Sequence, residues 1–409
     1  MTPDADVIVA GAGPAGSLAA YQLAIQGISV LILEKSRFPR YKVCGGGLTH
    51  KILQEIPFDI SPVFETSIHS IRFSRGFTEQ FQRHSDEPLI HCAMRDRVDD
   101  FLLQKALKAG AKVLFGEKVT EVIQDVAKVS VKTKTGSYSS RILIGADGAS
   151  SAVARLTGLR ENILPGLAWE AEIKACEESV KRFSQTVFLD WGAFPGGYGW
   201  VFPKGDHFSI GVGGPAALSK WMMPYYERFL GYFQRNLQES SDRSINLETL
   251  SMRSWPIPVR VEKSNFHSGR IMVAGDAGGL TDPLTGEGIY YAVRSGNLAA
   301  QTCSGYLQGR TSNLDSYSRE VNLQLMPELM EANKIKHIFN AVPLKIHRFV
   351  RDSDRGWRAF GRVLRGERKY ADVRMGFGKW KSLWEAACMA SRWISGWKEF
   401  WFLRKGFTK

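Results

Sequence analysis

The segment Ala5-Asp-Val-Ile-Val-Ala-Gly-Ala-Gly-Pro-Ala-Gly16 constrains this chain more than any other stretch. An apolar run ends in Gly-x-Gly-x-x-Gly, and a helical pattern follows from Ser17 to Gln26. A second apolar run, Ser29 to Leu33, ends at Glu34. Strand, glycine turn, helix, strand and acid stand in the order a dinucleotide site needs. Gly11 permits the tight turn, and Gly13 lets backbone approach a pyrophosphate at the positive end of the helix. Gly16 lets helix and strand pack closely, while Ala12, Pro14 and Ala15 complete the cradle. Glu34, with Lys35 beside it, can accept from ribose hydroxyls. Because the motif starts at residue 5, we expect no secretory or transit leader before it.

Size and composition narrow the class. A chain of 409 residues that is 44% hydrophobic can bury a large core and divides naturally into two domains. Five cysteines (44, 92, 176, 303 and 388) are scattered without a Cys-x-x-Cys pair. That spacing argues against a zinc site and a disulfide framework, and for a reducing, cytoplasmic setting. No run of 18 apolar residues occurs, so no helix is expected to span a bilayer.

Two further segments repeat the strand-to-glycine-turn pattern. Residues 142–151 read Ile-Leu-Ile-Gly-Ala-Asp-Gly-Ala-Ser-Ser, placing Asp147 and Gly148 at the end of an apolar run. Residues 271–288 run from Ile-Met-Val-Ala through Gly275-Asp276 into a glycine-rich loop that ends at Gly286 and Gly288. A helical period then begins at Ile289. Asp276 is placed to reach a ribityl chain, and the free amides after Gly288 to stabilise negative charge on a reduced flavin ring.

These three segments resemble the fingerprints of FAD-dependent oxidoreductases of the aromatic hydroxylase superfamily. A fourth points to the geranylgeranyl reductase family. Residues 37–48, Arg-Phe-Pro-Arg-Tyr-Lys-Val-Cys-Gly-Gly-Gly-Leu, resemble its Pro-Arg-x-Lys-x-Cys-Gly-x-Gly signature. Pro283-Leu-Thr-Gly-Glu-Gly-Ile289 and Tyr198-Gly-Trp-Val-Phe-Pro203 are similar to its flavin loop and its substrate-pocket motif. Arg95, followed by Val98, Asp99 and Leu102, resembles the start of its FAD-contacting helix, with Val98 in place of the usual aromatic. The likeness covers about residues 4–310. It implies an α/β fold with a glutathione-reductase-type, Rossmann-like FAD domain from 1–60, 91–165 and 265–310. An antiparallel-sheet substrate domain would come from 61–90 and 166–264. Outside the likeness, residues 311–409 read as a helical, basic, Trp-rich region. The likeness adds Cys44, Gly45, Gly46 and Val119 to the expected cofactor contacts.

The implied chemistry is saturation of isolated C=C bonds in a polyprenyl chain. The substrate must be held against the flavin with water excluded, which calls for an apolar tunnel. Tyr198, Trp200, Phe202 and Pro203, with Phe194 and the Gly196-Gly197 turn, suit that lining. The same alternation also fits an ordinary half-buried strand. Cys44, after a basic stretch (Arg37, Arg40, Lys42), reads as a thiol facing flavin or substrate, as a partner for Cys303, or as a small buried filler. His69, His84, His91, His207 and Tyr198 leave the proton donor open. Gly211-Val-Gly-Gly214 lacks the spacing of a second dinucleotide turn, so the electron donor is either NAD(P)H (NADPH in particular) or a small redox protein. A monooxygenase of the same fold and a non-catalytic prenyl-binding escort are the alternatives.

The net charge of +13 is concentrated in the tail, where residues 341–409 hold 17 Lys and Arg against six Asp and Glu. Six of the eleven Trp lie there too (357, 380, 384, 393, 397 and 401). Trp393, Trp397 and Trp401 recur every four residues and form one stripe on a helix. Such a segment suits either a peripheral membrane contact or a helical cap on the FAD domain. Nucleic acid is disfavoured, because no recognised binding module is present.

Overall fold

The computed structural model describes residues 3–238, 247–375 and 381–405. Ala5–Ala10 forms the middle of the parallel part of a mixed sheet because its side chains from Val7 to Ala10 are apolar on both faces and helices cover both. Its neighbours are Val30–Glu34 on one side and Ser137–Gly145 on the other, with Lys112–Phe115 and Ile271–Val273 beyond them. Val9 lies opposite both Ile32 and Ile144, so the strands end together. The three glycine turns therefore emerge side by side at the carboxyl ends of neighbouring strands, where open α/β sheets bind ligands. Helices Pro14–Ala24 and Ile289–Leu307 cross at van der Waals contact: a Cβ on Gly296 would lie 2.4 Å from the Ala15 carbonyl oxygen.

A second sheet has seven strands in the order Glu248–Val259, Leu164–Lys174, His207–Pro215, Tyr198–Pro203, Thr186–Trp191, Ser70–Arg75 and Thr78–His84. All pairs are antiparallel except Thr186–Trp191 with Ser70–Arg75. That parallel pair departs from the expected antiparallel sheet. It arises where the hairpin from residues 70–84 joins strands much later in the chain. Helix Ser219–Gln238 covers one face, laying Tyr225, Phe229 and Phe233 against Phe188 and Phe208. The twelve-residue strand Glu248–Val259 carries Pro256 and Pro258, which blur its strand signature in the sequence. It lies at the sheet edge, where proline is tolerated.

Helices make up the C-terminal region: Asp315–Gln324, Met326–Ala341, Pro343–Asp352, Asp354–Leu364, Tyr370–Met375 and Lys381–Lys405. The last packs along Met326–Ala341. Lys398 Nζ donates to the Asn340 and Ala341 carbonyls at 3.1 and 2.8 Å, satisfying acceptors that end that helix. Phe402 is buried against the second sheet's core, and Ser395 and Cys388 face inward. On the other side Met389, Trp393 and Trp397 are 69%, 70% and 60% exposed. The tryptophan stripe, Trp393, Trp397 and Trp401, stays on the exposed side. The helix caps the second sheet through Phe402 and not, as the cap reading expected, the FAD domain through its tryptophans. Trp380 lies outside the described residues.

Candidate active site

The turn after Ala5–Ala10 is shaped by two close approaches. Gly11 has φ +98°, and a Cβ there would meet the Ala146 carbonyl oxygen at 2.4 Å. A Cβ on Gly16 would lie 1.9 Å from the Gly11 oxygen. Gly13 differs: the nearest atom to its Cβ position is Arg40 Nη2, 3.9 Å away, so space opens above the loop. No side chain caps helix Pro14–Ala24, which leaves its first amides free for an anion. Arg40 overlooks this space with Nη2 on Asp99 at 3.1 Å and a buried Nη1 that has no partner. An orphaned guanidinium nitrogen above an uncapped helix start fits a pyrophosphate. The sequence reading did not assign Arg40 a cofactor role.

The acids take more local roles than their motifs suggest. Glu34 is buried and accepts from the amides of Ala12 (2.7 Å) and Ser36 (2.8 Å), so it fastens the glycine loop to the second strand. Each oxygen keeps a lone pair for a ribose hydroxyl. Lys35 beside it is exposed. Asp147 accepts from the amides of Ala152 (2.7 Å) and Val153 (3.2 Å) and from Ser151, capping the helix Ala152–Leu156 together with the Ser151 hydroxyl on the Ala154 amide (2.8 Å). Ser151→Ala should therefore cost about 1 kcal/mol of stability, read from the urea midpoint. Gly148 follows with φ +82° and open space at its Cβ position. Val119 is buried in the core beside the first sheet.

Asp276 sits in the turn Gly275–Gly278 with Oδ1 3.2 Å from the Cβ position of Gly288, facing the start of helix Ile289–Leu307. The loop between them is held from below: Glu287 pairs with Lys51 Nζ at 2.5 Å. It is held from above by the Tyr198 hydroxyl, which donates to the Thr285 carbonyl. That hydroxyl lies 3.1 Å from the Cβ position of Gly286.

The Cys44–Gly47 loop lies flat on the aromatic strand. A Cβ on Gly45 would come within 2.8 Å of the Phe202 ring and 3.3 Å of Trp200 Nε1. Trp200 lies across the neighbouring strand, where side chains at Gly211 and Gly213 would strike its ring at 2.3 and 3.1 Å. Those glycines thus make room for the indole. Pro203 closes the strand opposite Phe208. Phe194 instead faces the other side of the sheet, lining a cavity of about 380 Å³ with Phe77, Phe339 and Phe402. Gly197 carries that ring against its own backbone. All five cysteines are free, and Cys303 is sealed in the first sheet's core, which removes the Cys44–Cys303 pairing.

Around Cys44 the charges are crowded. Sγ accepts from the Gly46 amide at 3.4 Å. Arg95 forks onto Asp99 with two bonds of 2.9 Å. Burial opposes the Arg95 charge, but Asp99 and the adjacent Cys44 outweigh it and raise its pKa. Lys42 lies over the Trp255 ring at 4.2 Å; burial and the nearby Arg95 bring it down to about 8, against the pull of Asp276. Behind the loop, fully buried Glu170 accepts from the Cys44 amide at 2.7 Å and from Trp200 Nε1 at 3.1 Å. Burial and neighbouring Glu172 push Glu170 up to about 7. Sequence reasoning missed Glu170. The only signal was a charged residue inside a strand pattern, Trp169-Glu-Ala-Glu-Ile173.

Residues 4–326 match the model of the FAD-binding domain family. The chain belongs to that family. It is 31% identical over 318 residues to the menaquinone reductase of Mycolicibacterium smegmatis, covering 74% of this chain and 76% of that one. It is 29% identical over 359 residues to the digeranylgeranylglycerophospholipid reductase of Methanocella arvoryzae, covering 84% and 89%. A geranylgeranyl bacteriochlorophyll reductase-like protein of Thermoplasma acidophilum shares the fold, with a TM-score of 0.76, 23% identity and coverage of 92% and 98%. This flavoprotein is therefore an FAD-dependent oxidoreductase with geranylgeranyl reductase relatives. That finding sets the non-catalytic escort aside.

Proposed function

We propose that the protein saturates isolated C=C bonds of a polyprenyl, geranylgeranyl-type chain. FAD, once reduced, supplies hydride; the protein must bind and orient the chain, exclude water and deliver a proton. The observation that carries the reading is the contact of one aromatic face, Tyr198, Trp200 and Phe202, with both the Cys44–Gly47 and the Thr285–Gly286 loops. An unactivated alkene offers no carbonyl to polarise, so an apolar wall against the cofactor loops is the part it needs. The pyrophosphate would rest over Gly11–Gly16 beneath Arg40. Asp276 would face the ribityl chain, and the start of helix Ile289–Leu307 the ring. The experiment is anaerobic incubation of the reduced holoprotein with prenyl lipids, prenyl diphosphates and prenyl quinones, read by mass. A gain of two hydrogens supports the reading. Flavin that stays reduced across the panel, or a product that gains oxygen when air is admitted, overturns it.

We further propose that the exposed side of helix Lys381–Lys405 rests on an anionic membrane surface, where such substrates reside. Met389, Trp393, Trp397 and Phe400 form a continuous apolar strip with Arg392 beside it. Among the described residues no helix is long and apolar enough to cross a membrane. The strip would lie at the headgroup level, where Trp and basic side chains act together. Replacing Trp393, Trp397 and Phe400 with Ser should lower binding to phosphatidylglycerol vesicles by about tenfold or more. Turnover of detergent-dispersed substrate should change little. Unchanged sedimentation with vesicles contradicts the proposal.

A further inference from the structure

Beneath the Cys44–Gly47 loop a line of titratable groups runs out to solvent. Glu170 and Glu172 stand two residues apart on Leu164–Lys174, so their side chains leave the same face of the strand. Glu172 accepts from the Ser209 hydroxyl at 2.6 Å and from the Tyr41 hydroxyl at 3.2 Å, and His207 Nε2 lies 3.1 Å from it. His207 Nδ1 in turn lies 2.6 Å from Asp206, whose carboxylate is in solvent. Only one residue in this series, Glu170, touches both the cysteine loop and the aromatic wall. Other charged or titratable groups also face the pair. Lys204, whose Nζ donates to the Gly45 carbonyl, lies near both carboxylates, as does Tyr226 from the covering helix. Arg253 stands opposite Glu170 on the edge strand, over the Tyr41 ring at 5.1 Å.

We propose that Asp206, His207, Glu172 and Glu170 form the path by which the proton for alkene reduction enters the site, with Glu170 as the inner donor. This rests on the reductase reading above. The step balances. The π bond breaks, one carbon takes hydride from reduced FAD and the other takes the Glu170 proton. The cofactor loses two electrons and the alkene gains two. The Glu170 carboxylate is then reprotonated from water through His207 and Glu172. The proton affinities run the right way. Two carboxyls in one buried site resist ionising together. Glu172 is held down by His207 and Ser209 against its burial, while His207 is raised by Glu172 and Asp206. The remaining proton therefore rests on Glu170 below about pH 7, and half of it is lost at that pH.

The test has two independent readouts on the FAD-loaded protein. Infrared difference spectra between oxidised and reduced flavin at pH 6 should contain a protonated-carboxyl band that is lost in Glu170→Gln and shifted in Glu172→Gln. Absence of that band in the wild type overturns the relay whatever the substrate proves to be. The second readout is single-turnover oxidation of reduced flavin by a prenyl substrate. Glu170→Gln should slow it by about 100-fold at unchanged flavin content. His207→Gln, with the melting curve checked against wild type, should slow it mainly above pH 7, with partial recovery on adding imidazole. Wild-type rates and pH profiles in both variants overturn the relay while leaving the reductase reading intact. A carboxyl band that behaves as stated, in a protein that reduces no prenyl compound, overturns the relay's role in catalysis together with that reading.

Discussion

Gly13→Trp yields a folded protein that purifies without flavin. A Cβ at this position meets only the far end of Arg40, at 3.9 Å, so the indole projects into the space above the loop and not into the core. That is the space where a pyrophosphate would meet the uncapped helix start and the orphaned Arg40 nitrogen. Bound FAD should fall by about 100-fold or more, since the amides and guanidinium that would hold the phosphates are sterically blocked. The thermal midpoint should match that of wild-type apoprotein. Gly16→Ala is the contrast. Its Cβ would lie 1.9 Å from a backbone oxygen, so strand and helix must separate, and the apoprotein itself loses stability. Absorbance near the flavin band and the apoprotein melting curve separate the two outcomes. Normal flavin occupancy in folded Gly13→Trp removes the proposed site.

What was legible in the sequence is what local patterning controls. The unit from Ala5 to Glu34 was readable because strand, turn and helix signals are contiguous; the observed helix Pro14–Ala24 lies close to the expected one. Helix Ile289–Leu307 begins where the period does, and the range 166–264 contributes sheet strands such as Thr186–Trp191. The site's second half was hidden because long-range partners define it. Glu170 meets Cys44 across 126 residues and Trp200 across 30, and neither spacing leaves a mark in the chain. Asp147 reads as a ligand by motif, yet the amides it accepts from are its own neighbours, a capping pattern that Ser151 makes visible afterwards. The tail shows the same division. A four-residue period identified the tryptophan stripe, but not that Phe402, one residue off it, anchors the helix in the second core.

Glu170 gives the stability of the protein a slope with pH that its glutamine variant should lack. In the unfolded chain the carboxyl ionises near its ordinary 4.5; in the fold it holds its proton up to about 7. Between those values the native state binds more protons than the unfolded state, so this group makes stability fall as pH rises, and the loss is complete above 7. The interval corresponds to about 3 kcal/mol. Glu172, held low, adds stability above its ordinary range, and His207, raised, loses its contribution as pH climbs through its folded value. Total stability therefore mixes opposing slopes, and the difference between wild type and Glu170→Gln is the quantity to measure. At pH 5 the variant should be the weaker, because one amide end of Gln faces an N–H donor where a carboxyl oxygen accepted. By pH 8 that deficit should have closed or reversed, by about 3 kcal/mol in urea-derived stability. Parallel stability curves from pH 5 to 8 would mean that Glu170 is ionised throughout. The Cys44 loop would then rest on a fixed anion, with Lys204 as its counter-charge and no proton to give.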